Sequence, residues 1–194
     1  ESAEASRTKI AKPIKVQDYV PPPPTLLISS VDKPTIGDLR ANANIIKRTL
    51  ESFGIPVEMG EINVGPTVTR YTLKPAEGVK LSRITALGQD LALALAAHPI
   101  RIEAPIPGKS LVGIEVPNKV AALVRLGSLI LYPEFQSAGQ LNFALGRNVS
   151  GDPVFADIGK MPHLLVAGAT GSGKSITIHS LILSLIYKNS PSMV

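Results

Sequence analysis

Apolar side chains at Ile36, Leu39, Ala43, Ile46, Leu50 and Phe53 recur at intervals of three and four, the spacing that lays one stripe along a helix. Thr35 lies three residues ahead of Asp38, a variant of the capping box that predicts the helix start, and Gly54 predicts its stop. The period then changes. Residues 55–64 and 67–73 are rich in Val, Ile, Thr and Tyr and meet at Gly65-Pro66, which predicts two strands joined by a tight turn. A second helix is predicted over 82–97, with Leu81, Ile84, Leu87, Leu91 and Leu95 on one side and Gly88 tolerated within it at some cost. Strands at 100–104 and 111–116 follow, linked through Pro105-Ile106-Pro107-Gly108. Together these segments make an α+β unit. A weaker helical signal at 120–126 leads to strands near 141–145 and 154–156.

Both flanks of this patterned stretch are different in kind. Residues 1–24 mix small, charged and proline residues and end in Pro21-Pro22-Pro23-Pro24, which favours a stiff polyproline II segment and excludes a helix or central strand. Lacking periodic apolar faces, this stretch is expected to be a mobile linker, and nothing around the prolines supports an SH3-type ligand instead. At the other flank, His163-Leu164-Leu165-Val166-Ala167 is a short apolar run of the kind expected of a buried strand. It enters Gly168-Ala169-Thr170-Gly171-Ser172-Gly173-Lys174-Ser175, which satisfies G-x-x-x-x-G-K-[ST]. Ile176, Ile178, Leu181, Ile182, Leu185 and Ile186 then continue as a largely apolar helix that ends near Asn189-Ser190-Pro191.

That octamer is the candidate site, because backbone amides converge on phosphate oxygens only where side chains do not obstruct them, as Gly168, Gly171 and Gly173 permit. Gly168, Ala169, Thr170, Gly171, Ser172, Gly173, Lys174 and Ser175, with Ile176 at the helix start, form the predicted nucleotide-binding set for ATP. Lys174 is the predicted catalytic cation, placing its charge on the β and γ phosphates, and Ser175 offers a hydroxyl to Mg²⁺. An ordinary glycine-rich turn before a helix does not call for Lys174-Ser175 at this position. Other chemistry-bearing residues point elsewhere. His98 and His163 have no partner ligands at metal-site spacing and read as structural or surface residues, with His163 close in sequence to the nucleotide loop. Asp157 fits a strand end better than a general base. Arg70, Lys74, Lys80 and Arg83 form the densest local basic set, whose default is a solvated face.

Composition changes this picture only a little. The chain has 194 residues, 44% of them hydrophobic, enough for one ordinary core or two small ones. It has no cysteine, which excludes a disulfide scaffold, a thiolate metal site and a cysteine nucleophile and suits a reducing, cytoplasmic compartment. No apolar run approaches the roughly 20 residues that cross a bilayer. The net charge of +5 suits a polyanion, yet the basic residues are scattered and mark no surface.

Residues 161–175 resemble the P-loop region of the FtsK/SpoIIIE family of bacterial DNA translocases. Upstream, 65–71, 75–80, 91–95, 100–109 and 113–118 are similar to the family's first motor subdomain, in the same order. The resemblance implies an α+β subdomain at 31–125 followed by the truncated start of a RecA-like α/β P-loop NTPase domain at 126–194, with 1–30 as a proline-rich linker. It further implies a homo-hexameric ring that pumps double-stranded DNA with ATP and Mg²⁺ during chromosome segregation and cell division. Attachment to the cell membrane is implied only through an amino-terminal region outside this sequence. No residue here matches the family's Walker B carboxylate or the groups that orient the attacking water. The alternative is therefore a non-catalytic piece that serves ring assembly alone, and a P-loop kinase is disfavoured by the long α+β region ahead of the loop.

Overall fold

A computed structural model describes residues 19–190, so the linker expected over 1–18 lies outside the described residues, as does Pro191 of the expected helix end. Helix α1 (Leu39–Ser52) is followed by β1 (Val57–Val64), β2 (Val68–Pro75), α2 (Leu81–Ala86), α3 (Gly88–Ala94), β3 (Arg101–Glu103) and β4 (Val112–Pro117). The four strands make one antiparallel sheet in the order β1-β2-β4-β3. Alternation sends Tyr71, Leu73, Val112, Ile114 and Val116 to one face, where they bury against Ile46 and Leu50 of α1, Ile84 of α2 and Leu91 of α3. Burial holds the Tyr71 phenol above its ordinary pKa, because the phenolate would be desolvated there; the Asp38 carboxylate adds to this and Asn42 opposes it.

Three boundaries differ from the sequence expectation. The cap of α1 is Asp38, whose carboxylate accepts from the N–H groups of Arg40 (2.9 Å) and Ala41 (3.0 Å). Thr35 is held extended instead, exchanging backbone hydrogen bonds with Val120 (2.9 and 3.2 Å), so Ile36 precedes the helix. The same pairing takes the Val120 carbonyl that would open a helix over 120–126 and, with Ala122 N–H to Pro66 O at 2.8 Å, holds the segment extended, and helix α4 is Leu126–Ile130. The helix expected over 82–97 breaks at Leu87, which closes α2 with an i to i+3 bond before α3 begins at Gly88. The break falls beside Gly88, where helix propensity is lowest, and Ile84 and Leu91 on either side of it are both buried at 0% exposure. The stop of α1 is as expected: Gly54 takes φ 70°, and the N–H groups of Gly54 and Ile55 bond Glu51 O and Leu50 O in a Schellman arrangement.

The opposite sheet face is polar, and Arg70 is not solvated there as its composition suggested. Its guanidinium bonds Glu115 at 2.7 Å and Glu103 at 2.7 Å, with Arg101 at 3.6 Å from Glu115. Arg83 likewise turns back to donate to Phe53 O.

Beyond α4 come α5 (Pro133–Ser137), the antiparallel hairpin β5 (Asn142–Arg147) and β6 (Pro153–Asp157), and α6 (Lys174–Lys188). Phe135 and Phe143 are buried, and the Phe135 and Phe155 rings sit 5.5 Å apart. Helix α6 lies on β5, where Ser184 Oγ accepts from Ala144 N–H at 3.2 Å and donates to Ser180 O. Lys188 Nζ donates to Ala138 O and Gly139 O over the Phe135 ring, and burial pulls its pKa below the usual lysine value. The two sheets approach at Gly65, where a Cβ would stand 2.5 Å from Val149 O. The result is a mixed α/β molecule. Among the described residues no helix is long and apolar enough to cross a membrane.

Residues 19–30, expected to continue the mobile linker, carry a 3-10 turn at Pro24–Leu26 and lie against α4 and α6.

Candidate functional site

The predicted loop sits at the amino end of α6, and its conformation depends on glycine at two positions. Gly171 and Gly173 adopt φ of 81° and 91°, with nothing within 4 Å of where a Cβ would be. Gly173 caps α6, its carbonyl accepting from Thr177 N–H at 2.9 Å and from Thr177 Oγ1 at 3.2 Å. The N–H groups of Lys174, Ser175 and Ile176, in the first helical turn, have no acceptor among the described residues. Ala169 O accepts from Ser172 N–H at 3.2 Å, which folds the loop back on itself. At Gly168 a Cβ would meet Ser172 Oγ, a contact that rotation of the serine side chain relieves.

Lys174 Nζ donates to Gly168 O and Ala169 O, both at 2.7 Å, and so lies across the mouth of the loop. The arrangement gathers a cation, a fan of unpaired amides, the positive end of a 15-residue helix and the Ser175 hydroxyl on one exposed turn. A triphosphate with its Mg²⁺ fits the chemistry of that donor set: a cation, unpaired amides and a hydroxyl gather on one exposed turn, with no carboxylate among residues 168–175. Ala169, Thr170 and Ser172 contribute backbone at the rim.

Residues 163–167 depart from expectation. They form no strand, and Leu165 is 88% exposed. A central strand requires a hydrogen-bonded neighbour, and among the described residues the only nearby sheet is the β5–β6 hairpin, which pairs with itself. Leu164, Leu165, Val166 and Ala167 instead line one wall of an apolar cleft of about 590 Å³, with Phe143 and Leu145 of β5 and Ile178 and Leu181 of α6 opposite. His163 is exposed at the end of this run. Asp157 ends β6 and accepts from Gly159 N–H at 3.0 Å, a capping role. Sequence reasoning missed the residues that aim α6: Ser184, Lys188 and Asn189. Their signal was a polar position, Ser184, inside an apolar stripe.

The model of the FtsK alpha domain matches residues 22–118, half of the chain, and the FtsK/SpoIIIE family model matches 129–194. The chain belongs to the FtsK/SpoIIIE family. Relatives within it are named DNA translocase FtsK. That of Caldanaerobacter subterraneus subsp. tengcongensis is 51% identical over 180 residues, covering 91% of this chain and 25% of the relative. Those of Halalkalibacterium halodurans and Clostridium tetani are 53% and 52% identical, covering 80% and 81% of this chain and 20% and 21% of theirs. This FtsK/SpoIIIE chain thus spans between a fifth and a quarter of the length of those relatives. A solved structure of the pCW3 conjugation coupling protein TcpA, in monomer form with ATPgS, is 19% identical and covers 75% of this chain and 42% of its own, at a TM-score of 0.34. So loose a superposition carries no argument.

Proposed function

We propose that this chain is the front of the motor of an ATP-driven double-stranded-DNA translocase, with an α+β subdomain at 31–125 set before the start of a RecA-like P-loop NTPase domain at 126–194. The observation that carries the reading is the loop at 168–175, whose unpaired amides and lysine stand on the amino end of α6. Relatives named as DNA translocases, and family models that end at 118 and resume at 129, on either side of the extended connector and the start of α4, support the rest.

In this reading the amides of Lys174, Ser175 and Ile176 and the glycine backbone hold the phosphates, and the helix end adds its dipole. Lys174 leaves the carbonyls of Gly168 and Ala169 and turns its ammonium to the phosphate charge. Ser175 offers its hydroxyl to the metal. Mg²⁺ supplies charge neutralisation at the phosphates when bound. The partners we assign to the whole protein are double-stranded DNA and further copies of itself in a hexameric ring, working on the cytoplasmic side of a membrane in chromosome segregation and division.

The test is ATP hydrolysis by the full-length protein, with and without duplex DNA. Lys174→Ala lowers the DNA-stimulated rate by at least about 100-fold, the scale of losing one preorganised charge-stabilising donor. A variant that hydrolyses ATP at the parent rate refutes the role of Lys174. Hydrolysis in the parent that duplex DNA does not stimulate refutes the translocase reading.

A further inference from the structure

We propose that residues 19–35 act as a strap that sets the order of the nucleotide loop by gripping the far end of α6, so that strap seating and nucleotide binding favour each other. The second half of this statement rests on the nucleotide reading above.

The grip is assembled from separate contacts. Ile186 O is one of the last carbonyls of α6, which have no intrahelical donor, and Tyr19 Oη donates to it at 2.8 Å. Tyr187 Oη, one residue on, donates to Pro23 O at 3.3 Å. Proline offers no N–H, so the run at 21–24 presents only acceptors to the helix, on a backbone already stiff before it docks. Farther along, the strap passes so close to α4 that a Cβ on Gly127 would lie 2.6 Å from Ile28 O and 3.0 Å from Leu27 Cβ. Asp32 then pairs with Arg125 at 3.0 Å, and Thr35 bonds Val120. The strap is thereby anchored to the connector at 120–125 at one end and to α6 at the other.

What makes this grip matter is the uneven way α6 is held. Its polar anchors, Ser184, Ile186 O, Tyr187, Lys188 and Asn189, all fall in its carboxy-terminal half. The half next to the loop leaves Ile176 and Ile178 exposed. The amino end that carries Lys174 is a cantilever, and its direction is fixed by what grips the other end. Because coupling between two binding equilibria is reciprocal, a strap that orders the loop must itself be ordered by a ligand on the loop.

Hydrogen–deuterium exchange on the 194-residue chain, with and without the magnesium salt of ATPγS, tests this. Tyr19→Phe combined with Tyr187→Phe keeps both rings and removes both bonds. It is expected to speed exchange across α6 and 168–176 by about three- to tenfold, the scale of a net hydrogen bond, and to leave β2 and β4 unchanged. Gly127→Val, which blocks the strap at Ile28, is expected to do the same. In the parent, nucleotide is expected to slow exchange at the Leu26, Leu27 and Thr35 amides, and Lys174→Ala to remove that slowing. Unchanged α6 exchange in the double variant overturns the strap. Nucleotide that slows the loop and leaves the strap amides unaffected overturns the coupling. Nucleotide that slows neither overturns the nucleotide reading and the coupling with it, while α6 exchange in the double variant still decides the grip.

Discussion

Glu115 is a carboxylate at 5% exposure on the polar face of the sheet, and Arg70 is the group that makes this tolerable. The bidentate approach of Nε and Nη2 to one oxygen of Glu115, with Nη2 shared to Glu103, ties β2, β3 and β4 together by side chains as well as backbone. Removing the guanidinium leaves two largely buried carboxylates side by side, with only the exposed Arg101 still 3.6 Å from Glu115. Arg70→Ala is expected to destabilise the chain by about 3 kcal/mol, read as a shift in denaturant midpoint, and Arg70→Lys to recover only part of this because an ammonium lacks the fork. A midpoint unchanged in Arg70→Ala would mean the cluster is a solvated face, as the sequence had suggested. Sequence gave no access to the cluster because its members, at 70, 103 and 115, meet only through strand register.

Among the elements, those set by local pattern were legible. The strand-forming composition that marks β1, β2 and β4, the turn at Gly65-Pro66 and the Gly54 stop all follow from nearby residues. Illegible were the places where a distant segment claimed the backbone. Thr35 and Val120 occupy each other's amides, which moved one helix start to Leu39 and replaced another predicted helix with an extended connector. The break at Leu87 was visible as a weak point, Gly88, but not as a break. Asp38→Ala is therefore expected to cost about 1 kcal/mol of stability in thermal or denaturant unfolding, whereas Thr35→Ala leaves the cap intact. Equal losses from the two substitutions would restore Thr35 as the cap.

Across the whole molecule, the candidate site divides in the same way. The turn at 168–175, with Gly171 and Gly173 at positive φ, and the helix after it lie where the spacing placed them, because both are set by consecutive residues. The strand ahead of the loop was misread because a strand is a relation between segments, and residues 163–167 have no such neighbour among the described residues. The contacts of residues 19–30 with α4 and α6 were not legible, because proline content argues for stiffness and says nothing of what a stiff segment rests on. The central claim is that this loop holds a magnesium nucleotide through Lys174. Titration calorimetry of MgATP into the 194-residue chain tests it most directly. The account predicts saturable binding that weakens at least about tenfold in Lys174→Ala, the scale of a lost hydrogen bond to a charged group, with the far-ultraviolet circular dichroism of the two proteins alike. Equal affinity in parent and variant, or no binding in the parent, would contradict it.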